Sequence, residues 1–147
     1  MDGSPHKFGL HDSIGHHVSR SARIVERRVE SDLRQCGLTR IGWCILLSVE
    51  EEGKRNPSEI AEFVGIDRTA TSRALRQLEN DGFIERSIGR EDRRMTTVSL
   101  TEAGRACVER TLPLCRESMG HFHDKMSEAE MVELKRLLAL LTDGEPI

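Results

Sequence analysis

The 147-residue sequence predicts a mainly α-helical chain with one small β-hairpin: a winged helix-turn-helix with long amphipathic helices at its N- and C-terminal ends. Three observations predict it. Apolar residues recur at helical spacing over most of the chain. Two short helical patterns are joined by the tight turn G-I-D at Gly65–Asp67, the form of a helix-turn-helix. Directly behind the second of them, the charged turn I-G-R-E-D-R-R separates two runs that alternate as strands do.

From Leu10 to about Gln35, the apolar residues Ile14, Val18, Ala22, Val25, Val29 and Leu33 fall at helical spacing, with arginines between them and Gly37 as a stop. Thr39 is placed to cap a second helix reaching about Glu52, whose apolar content is Trp43, Leu46, Leu47 and Val49. After the breaker E-E-G-K-R-N-P, a short helix begins at Ser58, with Ile60, Ala61 and Val64 inward and Gly65 as terminator. Asp67 caps the next helix, which Gly82 ends. On its wheel Thr71, Ala74, Leu75 and Leu78 share one side, while Thr69, Arg73, Arg76 and Asn80 share the other. F-I-E-R-S and M-T-T-V-S-L-T form the hairpin, with Thr96, Val98 and Leu100 opposed to Met95, Thr97 and Ser99. Thr101 and Glu102 open a helix carrying Ala103, Ala106, Val108 and Leu112, with Pro113 as a potential kink. Ser127 and Glu130 form a capping box for a last helix with an apolar stripe of Met131, Leu134, Leu137, Leu138 and Leu141. The outer helices lack a partner within one small lobe, and a second chain would bury them.

Composition excludes several classes. Aromatics are 3% of residues, with no Tyr, which argues against a stacking platform for single-stranded nucleic acid. The net charge of −3 settles nothing, because a DNA-binding protein needs only a basic face. None of Cys36, Cys44, Cys107 and Cys115 forms C-x-x-C, and no zinc-type pairing is visible. His16 with His17, and His121 with His123, are not spaced to put two ligands on one helical face, so no metal site and no cofactor are expected. No apolar run is long enough to span a bilayer and the N-terminal M-D-G-S-P-H-K lacks an apolar signal run, so a cytoplasmic protein with reduced thiols is expected.

A helix with arginine outward in its N-terminal half can enter a major groove, where Arg73 is the best candidate to read a base edge. Arg68, Arg76 and Ser72 are candidates for phosphate contacts, as is Thr71 if its hydroxyl turns outward. Ser58, at the start of the preceding helix, is another. Arginines on a hairpin tip suit a narrow minor groove, whose negative potential attracts guanidinium groups. Arg90, Arg93 and Arg94 stand there, and Asp92 is placed to orient a neighbouring arginine by an ion pair.

The order of these elements resembles the multiple antibiotic resistance regulator (MarR) family of bacterial transcription factors. D-R-R-M-T-T-V-S-L-T-E-A-G, from Asp92 to Gly104, resembles its wing signature, D-x-R followed by L-T-x-x-G. S-R-A-L-R-Q-L-E-N-D-G-F-I resembles its recognition helix, and C-G-L-T at Cys36–Thr39 the entry to its second helix. The resemblance implies one domain over residues 1–147, with dimerisation helices at 10–36 and 105–142 and a DNA-binding lobe at 39–101. It implies a homodimer on a pseudo-palindromic operator, acting as a repressor, with recognition helices in adjacent major grooves and wings in flanking minor grooves. Thr69 and Arg73 match positions that touch bases or nearby backbone, and Asp92 and Arg94 match the D-x-R pair. The wing arginine is Arg93 or Arg94. The resemblance further implies a small, anionic or aromatic effector in a crevice that His17, Arg20, Trp43 and Leu47 would line.

Rival readings remain at this level. A charged turn and an arginine-bearing helix face can both be merely solvated. A winged-helix module for protein interaction would share the fold. Some members of the resembled family sense oxidants through a thiol, and Cys36 stands at a helix end, although a helix C-terminus disfavours a thiolate. No nucleophile–base spacing or phosphate loop supports an enzyme.

Overall fold

The structure, a computed structural model, describes residues 9–89, 91 and 95–146. Arg90, Asp92, Arg93 and Arg94 of the hairpin tip lie outside the described residues.

A short 3-10 turn at Leu10–Asp12 precedes helix α1 (Ile14–Gln35). The break at Ser13 divides the pattern expected to run on from Leu10. The Ser13 hydroxyl accepts the backbone N–H of His16, and this cap starts α1. Helix α2 (Arg40–Glu50) has Thr39 as its cap and stops two residues short of the expected Glu52. Helix α3 (Pro57–Val64) begins one residue earlier than the sequence suggests. Asn56, not the Pro–Ser pair, sets its start: its side chain and that of Glu59 form a reciprocal capping box, leaving Pro57 at the first helical position, where no N–H is needed. Gly65, at φ 74°, ends α3 in the left-handed region. Asp67 then accepts the Ala70 N–H at 2.7 Å and opens helix α4 (Arg68–Asn80).

Strands β1 (Ile84–Ile88) and β2 (Thr96–Leu100) pair antiparallel, with Ile84 opposite Leu100 and Ile88 opposite Thr96. Val98 and Leu100 are buried, as the alternation requires. The other edge of β2 is also engaged: the Val98 N–H donates to the Arg55 carbonyl at 2.7 Å, so the loop between α2 and α3 lies along the wing.

Helix α5 (Glu102–His123) continues through Pro113. Its inward stripe is Gly104, Cys107, Val108, Thr111, Cys115 and Ser118, whereas Ala103 and Ala106 face solvent. That corrects the expected apolar face in part: Ala103 and Ala106 lie outward, while Val108 is buried and Leu112 packs against the core. Asp32 meets Ser118 and Cys36 meets Cys107, so α1 and α5 run antiparallel. Leu33, Ile45, Leu46, Ile60, Leu75, Ile84, Val98 and Val108 are almost wholly excluded from solvent and form one core. The last helix, α6 (Glu128–Leu141), contributes nothing to it. Leu134, Leu137, Leu138 and Leu141 are all exposed, as is Ile14 at the start of α1.

Candidate nucleic-acid interface

Capping by Asp67 sets the rotation of α4. Its apolar side, Leu75 and Leu78, enters the core, and the opposite side carries Arg68, Thr69, Ser72, Arg73 and Arg76 into solvent around one shallow concavity. Among the described residues, none of these arginines has a carboxylate within ion-pair distance. The face thus carries uncompensated positive charge, which draws phosphates. Thr71 does not belong to it. This residue is 1% exposed, and its hydroxyl donates to the Asp67 carbonyl at 2.9 Å. It occupies the Leu75–Leu78 side of the wheel, so the expected phosphate contact through Thr71 is overturned. Ser58 is exposed at the second position of α3.

Two contacts fix the wing relative to α4. The Arg86 guanidinium on β1 donates from Nε to the Glu79 carboxylate at 2.9 Å, and this hydrogen bond holds the Glu79 carboxyl below its usual range. Arg86 is thereby neutralised, unlike Arg73 and Arg76. At the other end of the hairpin, the Thr101 hydroxyl donates to the Gly82 carbonyl at 2.6 Å and accepts the Gly104 N–H at 3.1 Å. The Thr101 N–H donates to the Phe83 carbonyl at 3.1 Å. These bonds account for L-T-x-x-G: threonine ties the end of α4 to the start of α5, and glycine lets the Phe83 carbonyl come close. The described part of the hairpin closes with Gly89 N–H donating to the Met95 carbonyl at 2.8 Å.

The four residues expected to line an effector crevice stand on two helices, α1 and α2. His17 and Arg20 are exposed on the first turns of α1, and His17 Nε2 lies 2.5 Å from the His11 carbonyl oxygen. Trp43 and Leu47 pack against the core from α2. The Trp43 indole donates to the Thr111 hydroxyl at 3.0 Å, which in turn donates to the Cys107 carbonyl at 2.9 Å. An indole needs such a partner when buried, and this one serves packing.

Cys107 and Cys115 are core residues, and Cys36 and Cys44 are half-buried. Burial pushes the Cys44 and Cys107 thiols up and takes Cys115 to about 11. Raised thiols are poor nucleophiles at neutral pH. At pH 8 iodoacetamide is therefore expected to leave Cys107 and Cys115 unlabelled in the native protein and to modify both in urea, read by peptide mass spectrometry. Among the described residues, no three His, Cys, Asp or Glu side chains converge where a metal ion could sit, and no helix is long and apolar enough to cross a membrane.

A capped recognition helix with a free cationic face, braced against a β-hairpin, defines a winged helix-turn-helix regulator of the DNA-binding class. The MarR family model matches residues 38–96. An HTH-type transcriptional regulator of Bacillus cereus is 34% identical over 110 residues, covering 75% of this chain and 71% of the relative. The chain belongs to the MarR family of transcriptional regulators. Among solved structures, Bordetella bronchiseptica BpsR, whose DNA binding is regulated by 6-hydroxynicotinic acid, superposes with a TM-score of 0.84 at 21% identity, over 94% of this chain and 99% of that one. The transcriptional repressor CouR bound to a 23-mer DNA duplex gives 0.80 at 25% identity, over 90% and 94%.

Proposed function

We propose that the protein is a homodimeric repressor, without enzymatic activity, that acts in the cytoplasm by occupying a pseudo-palindromic operator. The observation that carries this reading is the solvent-facing, uncompensated set of Arg68, Arg73 and Arg76 on a helix whose other side is locked in the core. Arg73 reads a base edge; Arg68, Thr69, Ser72 and Arg76 grip the backbone, with Ser58 contributing from α3. Arg93 or Arg94 of the hairpin tip, oriented by Asp92, enters the minor groove, and Arg90 is a further DNA contact. Likeness to CouR, a repressor captured on duplex DNA, supports this assignment.

The dimer rests on 10–36 and 105–142, and residues 39–101 form the DNA lobe. The unpartnered leucines of α6 support it, because a continuous exposed apolar face calls for a second chain. Leu138→Glu, at a position 43% exposed in the single chain, is expected to leave the monomer fold intact and shift the protein to monomers in sedimentation. Operator binding would fall with it, since each monomer keeps only one half-site contact.

A small effector, as in BpsR, would release the operator by favouring lobe spacings that do not fit it. His17 and Arg20 of α1 with Trp43 and Leu47 of α2 would line such a crevice. Selection of bound sequences from genomic DNA tests the whole reading. It is expected to return an inverted repeat with half-sites about one helical turn apart; the absence of any enriched sequence would overturn it.

A further inference from the structure

The exposed apolar residues of α1 and α6 belong to the helices of the proposed dimer. Within the DNA lobe, residues 39–101, three large apolar side chains are exposed among the described residues: Phe63, Ile88 and Met95. Phe63 is partly covered, since Lys54 Nζ lies 5.5 Å from its ring centroid. Ile88 and Met95 are each 64% exposed, and both stand at the far end of the wing. The strand register sets them on opposite faces. Ile88 pairs with Thr96 and so shares the face of Arg86, Val98 and Leu100. Val98 is fully buried there, but by the next pair on that face the ribbon has run past the core and Ile88 meets solvent. The other face is polar along its length, through Glu85, Ser87, Thr97 and Ser99, until Met95. The Met95 carbonyl accepts the Gly89 N–H at 2.8 Å, which holds this residue level with Gly89, one position beyond Ile88. Natural ribbons guard such ends with charge or proline, because exposed apolar strand invites association. Here an isoleucine and a methionine occupy the two faces at the same level, which calls for a surface that covers both.

We propose that Ile88 and Met95 straddle the minor groove of the operator and pack against its deoxyribose walls, one on each strand. This placement rests on the reading above that an arginine of the tip enters that groove. The dimensions favour it. A ribbon with side chains on both faces is about 10 Å thick, whereas the minor groove is about 6 Å wide. Only the turn can enter, and the residues directly behind it stop at the two rims. Sugar C–H groups line those rims, so an apolar side chain sheds water against them without forfeiting a hydrogen bond. The surface is continuous with the DNA-facing side of α4, because Arg86, which precedes Ile88 on the same face, is bonded to Glu79 of that helix. Contacts between guanidinium groups and phosphates weaken as salt rises, and apolar contacts do not. The pair therefore supplies a salt-independent share of the affinity. It also selects sequences whose groove has the matching width.

Operator titrations with the full chain across a salt series test it. Ile88→Thr with Met95→Thr retains residues suited to a strand and should weaken operator binding about tenfold. The slope of log affinity against log salt should stay at the wild-type value, whereas Arg76→Gln lowers it. Ile88→Val with Met95→Leu, which keeps the apolar surface, should retain most of the affinity. The heat-capacity change of binding should become less negative in the threonine pair. With a benzophenone side chain in place of Ile88 or of Met95, irradiation should crosslink the two positions to opposite DNA strands. This readout decides the matter even if the threonine pair unfolds. The proposal is overturned if the threonine pair binds as wild type does, or if its salt slope falls as that of Arg76→Gln does. It is equally overturned if the valine–leucine pair loses as much affinity, or if both positions crosslink to protein instead of DNA, since a second chain would then cover them. Any of these results, with wild-type operator binding intact, ends this inference alone; a wild type that binds no DNA ends the function proposed above.

Discussion

Gly104→Ala is expected to lower stability by about 3 kcal/mol, the upper part of the range for overpacking. A Cβ at this position would lie 2.1 Å from the Phe83 carbonyl oxygen and 3.3 Å from Leu100 Cγ. The first neighbour is backbone and cannot swing aside. Alanine brings opposing benefits, a better helix propensity and a less flexible unfolded chain, together about 1 kcal/mol. The clash outweighs them, because relieving it means moving α5 off the end of α4. That movement breaks the bonds of Thr101 to Gly82 and Phe83. The measurement is urea unfolding followed by circular dichroism, and an unchanged midpoint would refute the steric account. The surviving folded protein should also bind its operator more weakly, since the same bonds set the angle of the wing.

Arg73→Ala is expected to cost about 1–3 kcal/mol in each half-site and to relax preference at one base pair. Both half-sites lose the contact in a homodimer, so the fall in operator affinity is correspondingly steep. Arg76→Ala should weaken binding by a similar factor on every sequence, as loss of a phosphate contact does, and should reduce the salt dependence. The two variants separate in a titration against the operator and against single-base substitutions of it. Equal losses on all sequences for Arg73→Ala would move that residue from base reading to backbone contact. Neither substitution should alter folding, because both side chains face solvent.

The element order was legible because its signals are local. Asp67 and Ser127 announce their helices by capping within three residues, and the α4 wheel is set by spacing alone. Alternation set Val98 and Leu100 on one face of β2, and both are buried. Thr71 shows the limit of a wheel read for function. The pattern put it on the apolar side, and only its bond to the Asp67 carbonyl removes it from the phosphate contacts. Ala103 and Ala106 fall among the apolar residues of α5, yet both lie outward while Gly104, Cys107 and Thr111 are buried.

By itself, then, the sequence determined which segments are helix and strand and which arginines can share one helical side. These follow from propensity, capping and periodicity over a few residues. Tertiary structure alone decided that Trp43 is bound to Thr111, that Thr101 grips Gly82, that Asp32 meets Ser118 and that Arg27 and Lys125 border one groove. Those partners lie 19 to 98 residues apart (the longest being Lys125 minus Arg27), and no local pattern encodes which distant neighbour a side chain meets once the core has closed.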